Sequence, residues 1–226
     1  MQPSAFNKAA LFDLVIVIVA LVTVKQVMIP VSLLYAGPIS TFSAMVVATI
    51  LLRRRGLGWT DLGFKWPDSW PKTLGLTLLT LIAFFATVAV FNTIADHFFI
   101  DVGASGRFDH VEGNPAAYIV IMLLVWTHGS TFEELIFRAF VITKTSLLLG
   151  DRRWADIIAV VLAAVFFGYR HYYYQGMNGA IVTGGIGLTF GLLYIWFGRK
   201  NIIPLILGHG LINSFVQTMR FLGHEV

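Results

Sequence analysis

Cysteine is absent from this 226-residue chain, and charge is scarce. Without a thiol there is no disulfide, no thiolate nucleophile and no Cys-ligated zinc or iron–sulfur centre. Only 12% of the residues are charged, against roughly 25% in an ordinary soluble domain. Sixteen basic and twelve acidic side chains cannot cover a water-soluble protein of this size. In their place are 57% hydrophobic residues and a mean hydropathy of +0.78. Disorder and a collagen-like chain fail on these numbers, and so does a nucleic-acid binder. The net charge of +4 and pI near 9.5 fit basic cytoplasmic loops of a membrane protein better than a nucleic-acid surface. The expected fold class is all-α, a polytopic transmembrane helical bundle of about seven spans forming a single integral membrane domain over residues 1–226.

Hydropathy places the spans near Ala9–Met28, Val31–Leu52, Thr73–Ala95, Ala116–Leu149, Ala155–His171, Gly179–Phe197 and Ile202–Phe221. The fourth would reach about 50 Å as one straight helix, so a bend near Gly129 or a protruding end is expected. Lys8 before an apolar run superficially resembles a signal peptide, but Asp13 interrupts the run and no small-x-small cleavage site follows; a retained first helix is expected. Basic residues gather in alternate connections: Arg53, Arg54, Arg55, Lys65 and Lys72 after span two, Lys144, Arg152 and Arg153 at the end of span four, Arg199 and Lys200 after span six. The connection after span three carries Asp96, Asp101, Asp109 and Glu112 against Arg107. Basic loops inside put the N-terminus in and the C-terminus out, in what reads as a bacterial cytoplasmic membrane. Trp59, Trp66 and Trp70 in the loop after span two, and the Tyr172-Tyr173-Tyr174 run, read as interfacial anchors. Gly184, Gly185, Gly187 and Gly191 read as sites of close helix packing.

An ionisable group inside a span is costly unless it is partnered or solvated, and three clusters demand a reason. In Glu133-Glu134-Leu135-Ile136-Phe137-Arg138, Glu134 and Arg138 are four apart in the favourable order for an ion pair, and Glu133 points about 100° away. One carboxylate is neutralised and the other left over; a buried ion-pair network is the bland alternative. Phe167 and His171 share a face, so the ring can wall the imidazole. His209 and Asn213 share another, where a plain helix–helix hydrogen bond is the alternative. Together the clusters supply a general base (Glu133), an imidazole (His171) to help activate water, and donors (His209, Asn213) for an oxyanion. Those are parts for amide hydrolysis without a covalent intermediate.

These motifs, EExxxR, FxxxH and HxxxN in that order, with the phrases FEELIFRAF and ILGHGLINSF, resemble the CPBP family of intramembrane proteases, also called the type II CAAX prenyl protease or Abi family. The resemblance is close over about 116–215 and rests on hydropathy alone before that. It implies Glu133 as catalytic base, His171 as its partner, His209 and Asn213 at the oxyanion, and Glu134, Arg138 and Phe167 organising the site. It implies a metal-free, glutamate-dependent endopeptidase acting near the cytoplasmic face on a CAAX-type or bacteriocin-like peptide, with membrane lipids as surroundings. Zinc held by a Glu and two His is the minority alternative, without an HExxH to support it. Arg170 departs from the small or apolar residue expected before the histidine. Ser130 reads as a helix-capping hydroxyl and His128 as structural. Two other classes compete: a non-catalytic scaffold or self-immunity protein, and a small transporter, which the lack of repeat symmetry disfavours.

Overall fold

The computed structural model describes residues 7–99 and 106–224, and Asp101 of the acidic connection lies outside them. The described residues are helical and contain no strand. Helix α1 (Lys8–Met28) starts at Asn7, whose side chain accepts from Ala10 N–H at 3.0 Å, and α2 (Leu33–Arg54) starts at Ser32. After a 3₁₀ turn at Trp59–Leu62, helix α3 covers Trp70–Phe98. Asn114 and Pro115 open a long composite run: α4 (Pro115–Leu124), two π-helical stretches (Val125–Phe132 and Glu134–Ile142) and α5 (Thr143–Leu148). Helix α6 spans Arg153–Trp196 and α7 spans Ile203–Phe221. Five of these runs are long and apolar enough to cross a membrane: α1, α2, α3, Pro115–Leu148 and α6.

The expected fifth and sixth spans are both limbs of α6. At Gly176 the backbone takes φ 64° and ψ −163°, a conformation that only glycine adopts cheaply, and the chain doubles back. A Cβ on Gly187 would sit 3.2 Å from the Ala164 Cα, and one on Gly191 would sit 2.8 Å from a Val160 methyl. The limbs therefore lie antiparallel at a distance that only missing side chains permit. The first limb runs past His171 through the tyrosines to residue 175, further than hydropathy alone suggests.

Around Gly129 the run adopts π winding, in which backbone bonds close five residues apart instead of four. Every residue of Glu134–Ile142 is buried. Around this strut pack Leu14 and Val17 of α1, Ala44 and Ala48 of α2, and Phe167, Phe190 and Tyr194 of α6. On α3, Leu74, Leu78, Ile82 and Phe85 point outward, more than half exposed, as a lipid-facing stripe requires.

Buried charge at one end is closed into networks. Asp13, fully buried, accepts from Lys144 at 2.7 Å and Arg55 at 3.0 Å, tying α1 to α2 and α5. Arg199 pairs with Asp156, and Tyr194 donates to the Leu62 carbonyl. Trp59 is drawn into this packing by donating to Thr49 at 2.9 Å, whereas Trp66 and Trp70 remain exposed as an edge-to-face pair.

Candidate active site

At the other end the helices enclose a cavity of about 1200 Å³. Glu133, His171, His209 and Asn213 all line it, from three separate helical runs, and so do Phe167 and His128. Its middle is walled by Phe84, Val88, Ile121, Leu124, Ile186 and Val216.

Glu134 and Arg138 form the ion pair that their spacing predicts, 3.2 Å apart and almost entirely buried. The guanidinium also lies 4.4 Å from the centre of the Phe167 ring and 5.5 Å from that of Phe190, so the ring faces take N–H groups that have no oxygen to meet. Glu134 does more than balance Arg138. Its Oε1 is 2.8 Å from His209 Nδ1, which links the EExxxR run to α7 and fixes which ring nitrogen faces the cavity. With Nδ1–H donated to the carboxylate, Nε2 of His209 is an acceptor in the neutral ring and a donor only in the imidazolium.

His171 is fixed in the same way. Its Nδ1 lies 2.8 Å from the Phe167 carbonyl oxygen, which can only accept, so Nδ1 carries the proton and Nε2 keeps its lone pair. The Phe167 ring stands 4.6 Å from the imidazole and that of Tyr174 stands 5.8 Å away. Asn213 reaches the π-helical run where Gly129 has no side chain; a Cβ there would be 3.3 Å from Asn213 Nδ2.

Glu133 takes no part in the Glu134–Arg138–His209 chain. Its nearest partner is His128, with Nε2 3.4 Å from Oε1. Residues five apart in an α-helix point about 140° away from one another, but π winding brings them onto one face. The structure thus moves His128, read from sequence as structural, to the side of the unpaired glutamate.

Three cations that spacing did not assign to the site gather near it. A small chamber beside the main cavity, about 20 Å³, is lined by Glu133, His128 and His171 together with Lys25, Arg107 and Arg170. A void of that size holds about one water. Arg170 donates to the Leu21 carbonyl, Ser40 Oγ and Thr41 Oγ1, tying α6 to α1 and α2. Lys25 donates to the Arg170 carbonyl and lies 3.8 Å from the centre of the Tyr173 ring. Arg107 is drawn in by Pro38: a proline within α2 has no N–H for the Leu34 carbonyl, and Arg107 Nη2 donates to that oxygen at 2.6 Å. Tyr173 and Tyr174 therefore pack against cations, while Tyr172 is the exposed member of the run. Among the described residues no group of three His, Asp or Glu side chains is placed to hold a metal ion.

Residues 115–215 match a family model described as type II CAAX prenyl endopeptidase Rce1-like. The match contains all three motifs and excludes Lys25, Pro38 and Arg107. No curated protein and no solved structure matches the chain.

Proposed function

We propose, from the match of residues 115–215 to the Rce1-like family of type II CAAX prenyl endopeptidases, that the chain is an intramembrane endopeptidase of that family in which Glu133 activates the hydrolytic water. The observation that carries this reading is the single cavity shared by Glu133, His171, His209 and Asn213. Its substrate is a membrane-associated peptide of the CAAX or bacteriocin type.

The chemistry follows from the proton positions. A water between the Glu133 carboxylate and His171 Nε2 gives one proton to Glu133 as its oxygen attacks the scissile carbonyl carbon; its second hydrogen is held by the Nε2 lone pair. The new oxyanion accepts from the Asn213 amide, and from His209 Nε2 when that ring is imidazolium. Collapse of the tetrahedral intermediate breaks the C–N bond, and Glu133 passes its proton to the leaving amine nitrogen. Arg138 and Phe167 hold Glu134 and His171 in register.

The reaction so drawn needs no metal. His171 and His209 each commit Nδ1 to a protein oxygen in different networks, a poor start for a shared ligand set. Turnover that survives chelation is the expected result. The direct test is Glu133→Gln, which keeps the shape and removes the base; a loss of 10²-fold or more is expected from general-base chemistry. Retained cleavage would return the cluster to a scaffolding role.

A further inference from the structure

The small chamber beside the main cavity carries a charge imbalance that the catalytic residues do not explain. Glu133, His128 and Arg107 line both spaces, whereas Lys25, Arg170 and Tyr173 line the chamber alone. Three cations thus face a single carboxylate, Glu133, among the described residues of the lining. Lys25 and Arg170 are only 5% and 6% exposed, and their N–H groups meet carbonyls, hydroxyls and an aromatic ring. Such partners satisfy donors without cancelling charge, and uncompensated charge is costly to bury.

Gly37 on α2 makes room for a counter-charge. A Cβ there would lie 3.6 Å from Tyr173 Oη, 3.7 Å from His128 Nε2 and 3.8 Å from Arg107 Nη2. Three polar groups, from α6, the first π-helical stretch and the turn before α4, therefore surround the place of one missing side chain. Two of these residues hold an orphan: His128 Nε2 and Arg107 Nε are buried without a hydrogen-bond partner among the described residues. We propose that the chamber is a binding site for a small monovalent anion of halide size, chloride above all, seated beside Gly37 among Arg107, Lys25, His128 and Tyr173. An ionised Glu133 can only accept, which puts the His128 proton on Nε2, where it can serve the anion as well. The Tyr173 hydroxyl, held to the Leu33 carbonyl by a long bond of 3.3 Å, can turn its proton inward. Size selects the ligand. A void of about 20 Å³ admits one water or an ion only slightly larger, and it excludes phosphate, sulfate and a carboxylate with its chain. A water fits the space but leaves the cations uncompensated.

The test is the unfolding temperature of the full chain in detergent. Potassium gluconate is replaced stepwise by potassium chloride, bromide or sulfate at constant ionic strength. A ligand that binds only the folded state raises that temperature in a saturable way. A rise of about 3 °C is expected with chloride and with bromide, and none with sulfate. Two variants locate the effect. Gly37→Ala places a methyl in the anion's position, at ordinary contact distance from its neighbours; Lys25→Met removes a charge and keeps the length of the side chain. Each variant that folds in gluconate should lose most of the halide rise. A full halide rise in a folded variant would put the anion elsewhere and overturn the proposal. An equal rise with sulfate, or no rise with either halide, would also overturn it, leaving a general salt effect or a resident water. Unfolding is read without turnover, so a failure of the catalytic reading, seen as an active Glu133→Gln, is judged separately.

Discussion

The two ends of the bundle bury charge in different ways. At the basic end, Asp13 meets Lys144 on α5 and Arg55 at the end of α2, and Asp156 meets Arg199 in the loop after α6. At the cavity end, Lys25 and Arg170 are about as buried but are held by carbonyls, hydroxyls and an aromatic face instead of carboxylates. Glu133 there meets only a histidine among the described residues. A closed pair repays part of the cost of burial and holds helices together. An open arrangement leaves charge available to a substrate or a water, which marks a functional site rather than a brace. The Glu134–Arg138–His209 chain stands between the two kinds, closed like a brace but ending in a ring that faces the cavity.

That contrast can be broken by mutation. Asp13→Ala removes the acceptor of a buried lysine, and a loss of about 3–5 kcal/mol of stability is expected from breaking a buried pair. Turnover per folded molecule should stay at the parental level; thermal unfolding in detergent, with activity normalised to folded protein, measures both. A collapse of turnover without a loss of stability would show that the basic end is not a brace. A smaller effect is expected from His128→Gln, which keeps a donor beside Glu133 but loses the ring: about a tenfold drop in kcat, or about 1.4 kcal/mol, with KM and unfolding temperature unchanged. A variant that instead unfolds early would assign His128 to packing.

Much of this contrast was legible in the sequence, wherever an α-helical period applies. The Glu134–Arg138 pair, the stacking of Phe167 on His171, and the small-residue contact between the limbs of α6 follow from spacings of three and four. The role of His128 was hidden because its helix closes its backbone bonds five residues apart over the segment that matters. No residue in Val125–Phe132 announces that winding. Lys25 and Arg107 were missed for another reason: they reach the site from distant elements that share no motif with it. One signal was present for Arg107, since Pro38 inside a span leaves a carbonyl without its donor and asks for a partner from elsewhere.

The division of labour between adjacent glutamates is the central claim, and Glu133→Gln measured beside Glu134→Gln tests it most directly. Turnover of a peptide substrate and the unfolding temperature are read for both. Glu133→Gln is expected to lose 10²-fold or more in kcat with its unfolding temperature unchanged, while Glu134→Gln, which leaves Arg138 buried without its carboxylate, is expected to unfold at a clearly lower temperature. Cleavage by Glu133→Gln at the parental rate, with or without a change in stability, would contradict it.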